Sequence, residues 1–423
     1  MNLQKPLLKL GAWKYSLSVG ILAWALTCTN VLRSTWSGDD WPNSQAPYVI
    51  LWRYGKITFR TVYLEAMYWN NQWMIGEGRF YPFTWLETRF AFSYLRSLWQ
   101  YKLLESFMLF LSGALLILII YVLSSSRRIA IFSLFALPVF VQFRNDFDPH
   151  LAFGFMVESL LIKIEIACLF AYFAGKSAKQ VKSIMLSVLA GLFIFIGCCT
   201  YEYAFLLFPA VIIMYWSGIT RSEIQIEWKQ VVKQRIAGFS IIAAAWMGYA
   251  IFVFGFLRTK AVAINGAYVL SVSWKSVYIF VSQLLAPLPL TNFSGSDFPG
   301  RLLGFRLEAI FGALLMIIFY TYFIRVYRNI SAKEFAPIDS RMKEEQKFSR
   351  LNLYLFGSSF VIAPSFMLAI QPLWWNKASI VHSYLGILIS EFGYVILFAT
   401  LFDRYLSNQE RARKVHLQKK VVR

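Results

Sequence analysis

Apolar stretches long enough to cross a hydrocarbon core recur along most of this chain, and no other feature limits its fold as strongly. A helical crossing needs about 20 residues. Such stretches lie near 15–32, 103–123, 129–143, 152–174, 184–200, 203–218, 237–257, 306–324, 351–370 and 384–402, the third and sixth of them short. Lipid offers no partner to backbone N–H and C=O groups, so segments of this kind must be helices. The chain is 58% hydrophobic and 18% aromatic, where soluble domains average about 45–50% apolar. The expected fold is an all-α polytopic membrane protein of ten transmembrane helices, a single transmembrane domain over residues 1–423. The corner from Cys199 to Glu202 separates the fifth and sixth spans; one bent segment is the competing reading there.

Charge sets the expected orientation. With the N-terminus in the cytoplasm, cytoplasmic segments hold 26 Lys and Arg and outer segments 15, most of the latter in two long loops where the positive-inside rule is weak. Both termini are therefore expected in the cytoplasm of a plasma (inner) membrane, with a basic tail at 403–423, and loops 33–102 and 258–305 face outward. The net charge of +20 is mostly this inner-face excess. Anionic lipid headgroups are the expected partner, and nucleic acid is not. Cys28, Cys168, Cys198 and Cys199 all lie in or beside apolar spans, with no disulfide framework or metal spacing. The first span reads as an uncleaved anchor.

The first outer loop is expected to be ordered. Tyr48 to Trp69 reads as one amphipathic helix with Arg53, Lys56 and Arg60 on a face, and Thr84 to Lys102 as another with Arg89, Arg96 and Gln100 aligned. Both are rich in aromatic residues, as interfacial helices tend to be. The sequence Gly76-Glu77-Gly78-Arg79-Phe80-Tyr81-Pro82 between them reads as a turn. In the second long loop, Tyr268 to Leu285 reads as an interfacial or re-entrant helix, followed by a Pro/Gly/Ser-rich stretch to Arg301.

The groups that could carry chemistry gather on the outer side. Asp39-Asp40 follows the first span within ten residues and stands beside Trp41 and Pro42. Glu77 and Arg79 share its loop. Arg144, Asp146, Asp148 and His150 occupy the short loop after the third span, Glu202 the corner after the fifth, and Lys377 and His382 the last outer loop. Carboxylates can deprotonate a hydroxyl, and cations can hold a phosphate and its developing charge. Asp39-Asp40 could equally cap a helix, Arg79 pair with Glu77, and His382 simply pack at the interface. Inside the spans stand Glu158, Lys163, Glu165 and Glu391. Glu158 and Glu165, seven residues apart, share a face, while Lys163 needs a partner on another helix. An inter-helix ion pair is the favoured reading over ion coupling.

This placement resembles the GT-C class of integral-membrane glycosyltransferases, which use polyprenyl-phosphate-linked sugars. The resemblance rests on Asp39-Asp40 after the first span, on a large first outer loop with two interfacial helices, and on Asp146 and Asp148 in the loop after the third. The turn Gly78-Arg79-Phe80-Tyr81-Pro82 is similar to bacterial members that modify cell-surface polymers. The match covers residues 1–220 better than the rest. A Trp-Trp-Asp-type signature and a C-terminal soluble domain are both missing.

The resemblance implies an inverting transfer from a polyprenyl-phosphate sugar to a cell-envelope glycan or lipid-linked acceptor. Asp39 or Asp40 would be the base. Asp146, Asp148 or Glu202 would assist the acceptor or a metal. Arg79, Arg144, His150, Lys377 or His382 would hold the donor phosphate. The doublet has no intervening residue, so no cofactor is assigned and a divalent cation stays open. The rivals are a transporter or flippase for a lipid-linked sugar, drawing on the intramembrane charges, a polysaccharide polymerase and, more distantly, an acyltransferase using His150 or His382.

Overall fold

The computed structural model describes residues 5–36, 40–95, 97–141, 154–221, 228–261, 270–288, 340–372, 375–376 and 386–421. Among these residues the protein is all-helical, with no strand. Four helices are long and apolar enough to cross a membrane: Leu98–Ser124, Gln180–Cys198, Arg235–Lys260 and Phe348–Ala369. Ser16–Leu32 and Phe208–Thr220 are shorter apolar stretches. The expected span at 306–324 lies outside the described residues.

The first helix, α1 (Lys5–Cys28), leads to a four-residue turn of helix, α2 (Asp40–Asn43). Three helices of the first loop follow: α3 (Ala46–Tyr54), α4 (Phe59–Glu77) and α5 (Pro82–Tyr94). The single helix expected over 48–69 is thus two. Gly55, at φ +71°, ends α3 in the left-handed conformation that glycine adopts without strain. Thr58 and Thr61 then cap each other's backbone N–H to restart the chain as α4. The stretch expected over 84–102 is also split. Ser97 and Gln100 form a second capping box, so residues from Leu98 onward open the long apolar helix α6 (Leu98–Ser124).

The bundle continues with α7 (Arg127–Phe140), α8 (Gly154–Lys176), α9 (Gln180–Cys198), α10 (Tyr203–Leu206), α11 (Phe208–Thr220) and α12 (Trp228–Ala250). The corner between α9 and α11 is a true break. Helix α12 runs on through a π-helical stretch, Ile251–Leu257, into the turn Arg258–Lys260. After it come α13 (Trp274–Leu285), α14 (Ser340–Ala369) and α15 (Ile387–Val421). The helix expected over 268–285 begins only at Trp274 and docks on α14, with Ser271 N–H donating to the Ile370 carbonyl at 2.9 Å.

Helix α8 is central, packing against α6, α9 and α11. Two crossings are closed by glycine. A Cβ on Gly175 of α8 would stand 2.1 Å from the Tyr215 carbonyl oxygen of α11, and one on Gly218 of α11 would stand 2.1 Å from the Tyr172 oxygen of α8. Gly357 of α14 and Gly393 of α15 face each other in the same way. Small residues let helix backbones approach closely where lipid gives no hydrophobic drive between helices. The outer surface of the bundle is apolar instead: Leu22, Phe107, Leu118, Met185, Leu192, Ile362 and Leu401 are all exposed, as lipid-facing side chains would be.

The bundle has two chemically different ends. At one, Arg128 and Arg350 both bind Asp403, at 2.9 and 2.7 Å. Arg221 there donates to the carbonyls of Val122 and Leu123 and to the Ser125 and Ser349 hydroxyls. The opposite end carries α2 to α5, the start of α6 and the corner after α9. All four cysteines are buried free thiols.

Candidate functional site

The first loop forms a helical cap over this second end, and its charged side chains reach down to charges on the bundle. The deepest junction is around Glu202. Gly78, at φ +64°, ends α4 and turns the chain so that Arg79 points inward. Arg79 is 3% exposed. Its Nε donates to the Tyr81 hydroxyl at 2.8 Å, and its guanidinium meets Glu202 at 3.4 Å. Arg258, at the end of α12, reaches the same carboxylate at 3.3 Å. Trp73, Tyr81 and Tyr201 surround the Arg79 guanidinium at 5.0, 4.6 and 5.6 Å from their ring centres. Burial acts to raise the pKa of Glu202, but Arg79 and then Arg258 outweigh it and hold the carboxyl below its usual range. Burial also raises the Tyr81 phenol well above its usual value.

A second junction ties α5 to α8. Lys163 donates to Glu87, to Ser159 at 2.7 Å and to Thr200 at 2.8 Å, and Ser159 donates to the other Glu87 oxygen. Thr84 donates to the Thr200 carbonyl. Lys163 thus finds its partner on the cap, not on another membrane helix. Lys163→Met should destabilise the protein by only about 1–2 kcal/mol, because the Glu87 side chain left behind is 24% exposed and still partly solvated. Thermal unfolding in detergent, compared with Glu87→Gln, measures it.

The third junction holds Asp40. It is 4% exposed, accepts from the Tyr101 hydroxyl at 3.0 Å and faces the Lys102 ammonium at 3.6 Å. Lys102 in turn meets Glu105 at 2.9 Å. Glu158 of α8 lies near enough to act electrostatically on both Tyr101 and Glu105. Asp40 is therefore a paired carboxylate at the base of the cap, beside the start of α6.

Between these junctions runs an aromatic and cationic seam along α4 and α5. Arg53 binds Glu65 at 2.7 Å, and the Trp69 indole donates to the other Glu65 oxygen at 2.8 Å. Trp69 stacks on Trp85 at 5.6 Å, and Trp73 meets Trp85 edge-on at 5.8 Å. Arg89 lies against Trp69 and Trp85 at 5.6 and 5.1 Å and donates to the Asn43 side chain at 3.2 Å. Burial lowers the Arg89 pKa to about 10, so it stays protonated at neutral pH.

Of the residues singled out from sequence, Arg79 and Glu202 meet under the cap, while Asp40 sits at a separate junction with Tyr101 and Lys102. Asp39, Arg144, Asp146, Asp148, His150, Lys377 and His382 lie outside the described residues. Within the bundle, Glu158, Glu165 and Glu391 are fully buried. Among the described residues, no three His, Cys, Asp or Glu side chains converge as metal ligands. Sequence reasoning did not pick out Glu87 or Arg258, whose partners are distant in sequence, nor Lys102 and Glu105, which pair three residues apart on α6 while Lys102 also faces the distant Asp40. A local signal existed for Arg89, since Trp85, Arg89 and Ser93 recur at four-residue spacing. The chain matches no protein-family model, no curated protein and no solved structure.

Proposed function

We propose that this protein is an inverting glycosyltransferase of the GT-C type. It takes a sugar from a polyprenyl-phosphate donor to a cell-envelope glycan or lipid-linked acceptor at the outer face of the plasma membrane. In this reading it has ten spans, both termini are cytoplasmic, and the cap faces outward. The observation that carries the reading is the helix α2. It holds Asp40, and one turn later Asn43, whose side chain accepts from Arg89. A carboxylate able to take an acceptor proton and a permanent cation able to hold a phosphate are thereby brought to one short helix. The acidic residue and the cations reach this end from distant parts of the chain, as a site at the membrane surface requires.

In the proposed reaction the acceptor hydroxyl loses its proton to Asp39 or Asp40 as its oxygen bonds to the anomeric carbon. The bond from that carbon to the phosphate oxygen breaks, and the lipid phosphate leaves with the electron pair. Nearby arginines neutralise the leaving charge. Asp39→Asn and Asp40→Asn, assayed separately in membranes with labelled polyprenyl-phosphate sugar and matched protein level, identify the base. Loss of general-base help lowers the rate about 10² to 10⁴-fold. Transfer indifferent to both changes would sink the proposal.

A second reading, transport of a lipid-linked sugar, draws on the complete burial of Glu158, Glu165 and Glu391 inside the bundle. Transport lost in Glu165→Gln, together with transfer absent from the wild type, would favour it.

A further inference from the structure

Helix α13 buries its polar residues and exposes its apolar ones. Trp274, Val277, Tyr278, Val281 and Leu285 recur at helical spacing, within about 100° around the axis. All five are exposed, Trp274 at 88%. The buried face holds Ser276, Ser282 and Gln283 with one apolar residue, Ile279, which packs on Leu368 and Ala369 of α14. A helix on a water-facing surface turns its apolar stripe to the core and its polar residues outward. The reversal on α13 fits a surrounding medium that is itself apolar.

The place of α13 in the bundle supplies that medium. Helix α15 begins at the cap end, where a Cβ on Gly386 would stand 3.3 Å from the Tyr203 ring. Ser271, just before α13, is tied to Ile370, one residue past the end of α14. Leu284, near the other end of α13, accepts from the Tyr394 hydroxyl at 2.6 Å, and Tyr394 lies about two turns inside α15. Helix α13 therefore descends along the bundle from the cap end. Its neighbour α14 is long and apolar enough to cross a membrane and exposes Ile362 and Phe366. The stripe on α13 continues that apolar surface.

The backbone meets the same demand. Hydrocarbon has no donor for the carbonyls left open at a helix C-terminus. Three of the last four on α13 find one inside the protein: Ser282 accepts from the Ala286 N–H at 2.9 Å, Leu285 from the Leu288 N–H at 3.0 Å, and Leu284 from Tyr394. The chain that follows is buried at Ala286 and Pro287.

We propose that α13 is a half-membrane helix, inserted into the leaflet on the cap side, with its exposed stripe against the acyl chains of the lipids and Trp274 at their headgroups. Its twelve residues give a length of about 18 Å, too short to cross about 30 Å of hydrocarbon, so it enters the leaflet and does not span. It is the re-entrant of the two placements open to this segment, and it does not depend on the transferase reading.

The test attaches a nitroxide to the full chain through Val272→Cys, Tyr278→Cys, Val281→Cys or Leu285→Cys, in vesicles of phosphatidylcholine and phosphatidylglycerol. Collisions are compared with oxygen, which concentrates in hydrocarbon, and with a neutral nickel chelate, which stays in water. The unsubstituted chain, whose native thiols are buried, is the labelling blank. The ratio of oxygen to nickel collisions should rise in chain order from 272 to 285. Between Tyr278 and Leu285, which share a face, the depth should grow by about 5–10 Å. Equal, shallow depths would show a helix lying flat at the surface. Nickel collisions at every position would show a stripe in water. Closure to both reagents would show that a second copy, or another segment of this chain, covers the stripe. Each of these three results overturns the proposal, and any two positions that label and fold suffice to decide. No arm reads sugar transfer, so failure of the transferase reading and failure of the inserted helix are separate results.

Discussion

Gly218→Val should leave little folded protein. The added side chain would start 2.1 Å from the Tyr172 carbonyl oxygen on α8 and 2.9 Å from the Lys176 nitrogen. Both are backbone atoms, which cannot rotate aside, so the helices must separate. Helix α8 is the element around which α6, α9 and α11 pack, and the shift would reach each of them. Overpacking costs about 1–3 kcal/mol where side chains can yield and more where they cannot, so a loss above about 3 kcal/mol is expected. The measurement is the monodisperse fraction and thermal midpoint in detergent. Gly248→Ala in α12 is the control. Its Cβ would meet nothing within 4 Å, and Ala in place of a helical Gly should stabilise by about 0.5–1 kcal/mol. A Gly218→Val protein as stable as Gly248→Ala would refute the close crossing.

Glu202→Ala should be the most damaging change beneath the cap. It leaves Arg79, 3% exposed, beside Arg258 with no shared carboxylate between them. Breaking a buried pair from one side costs about 3–5 kcal/mol, because the remaining charge stays buried. The pH dependence gives a second reading of the same contact. The Glu202 pKa is depressed in the folded protein, so its contribution is complete above the unfolded value, about 4.5, and is lost as pH falls through the lower folded value. Arg79→Ala removes the stronger of its two cations. The folded pKa should then rise and acid unfolding begin at higher pH. Acid profiles that coincide for wild type and Arg79→Ala would count against the junction.

These contacts mark the limit of what the sequence could tell. Four of the apolar spans were legible because a twenty-residue hydrophobic run has few alternatives in lipid. Gly78 and the Cys199–Glu202 corner were legible as breaks from their own residues. Local capping was equally written in the chain but overlooked: Ser97 with Gln100, and Gly55 followed by Thr58 and Thr61, split both stretches read as single interfacial helices. The partners of the charges were not legible. Lys163 plainly needed an anion, yet which anion depends on how α5 lies on α8. Arg258 looked like the edge of a span and became a ligand of Glu202 because the π-helical stretch carries α12 past the corner. Asp40 stood out by its position beside the first span, while Lys102 and Tyr101, which hold it, looked like ordinary residues at the start of a helix.

The junctions under the cap also impose an order on how the protein is made. Arg79 and Glu202 are 123 residues apart, and Glu87 and Lys163 are 76 apart. At about 5–20 residues per second of synthesis, the ribosome needs about 6–25 s after making Arg79 before Glu202 exists. Through that interval the first loop has already emerged, with its inward-facing arginine lacking its anion. The N-terminal segment of the protein is therefore the first to be synthesised and among the last to mature. A nascent chain halted before residue 202 should present its first loop to protease, while one released beyond residue 258 should protect it.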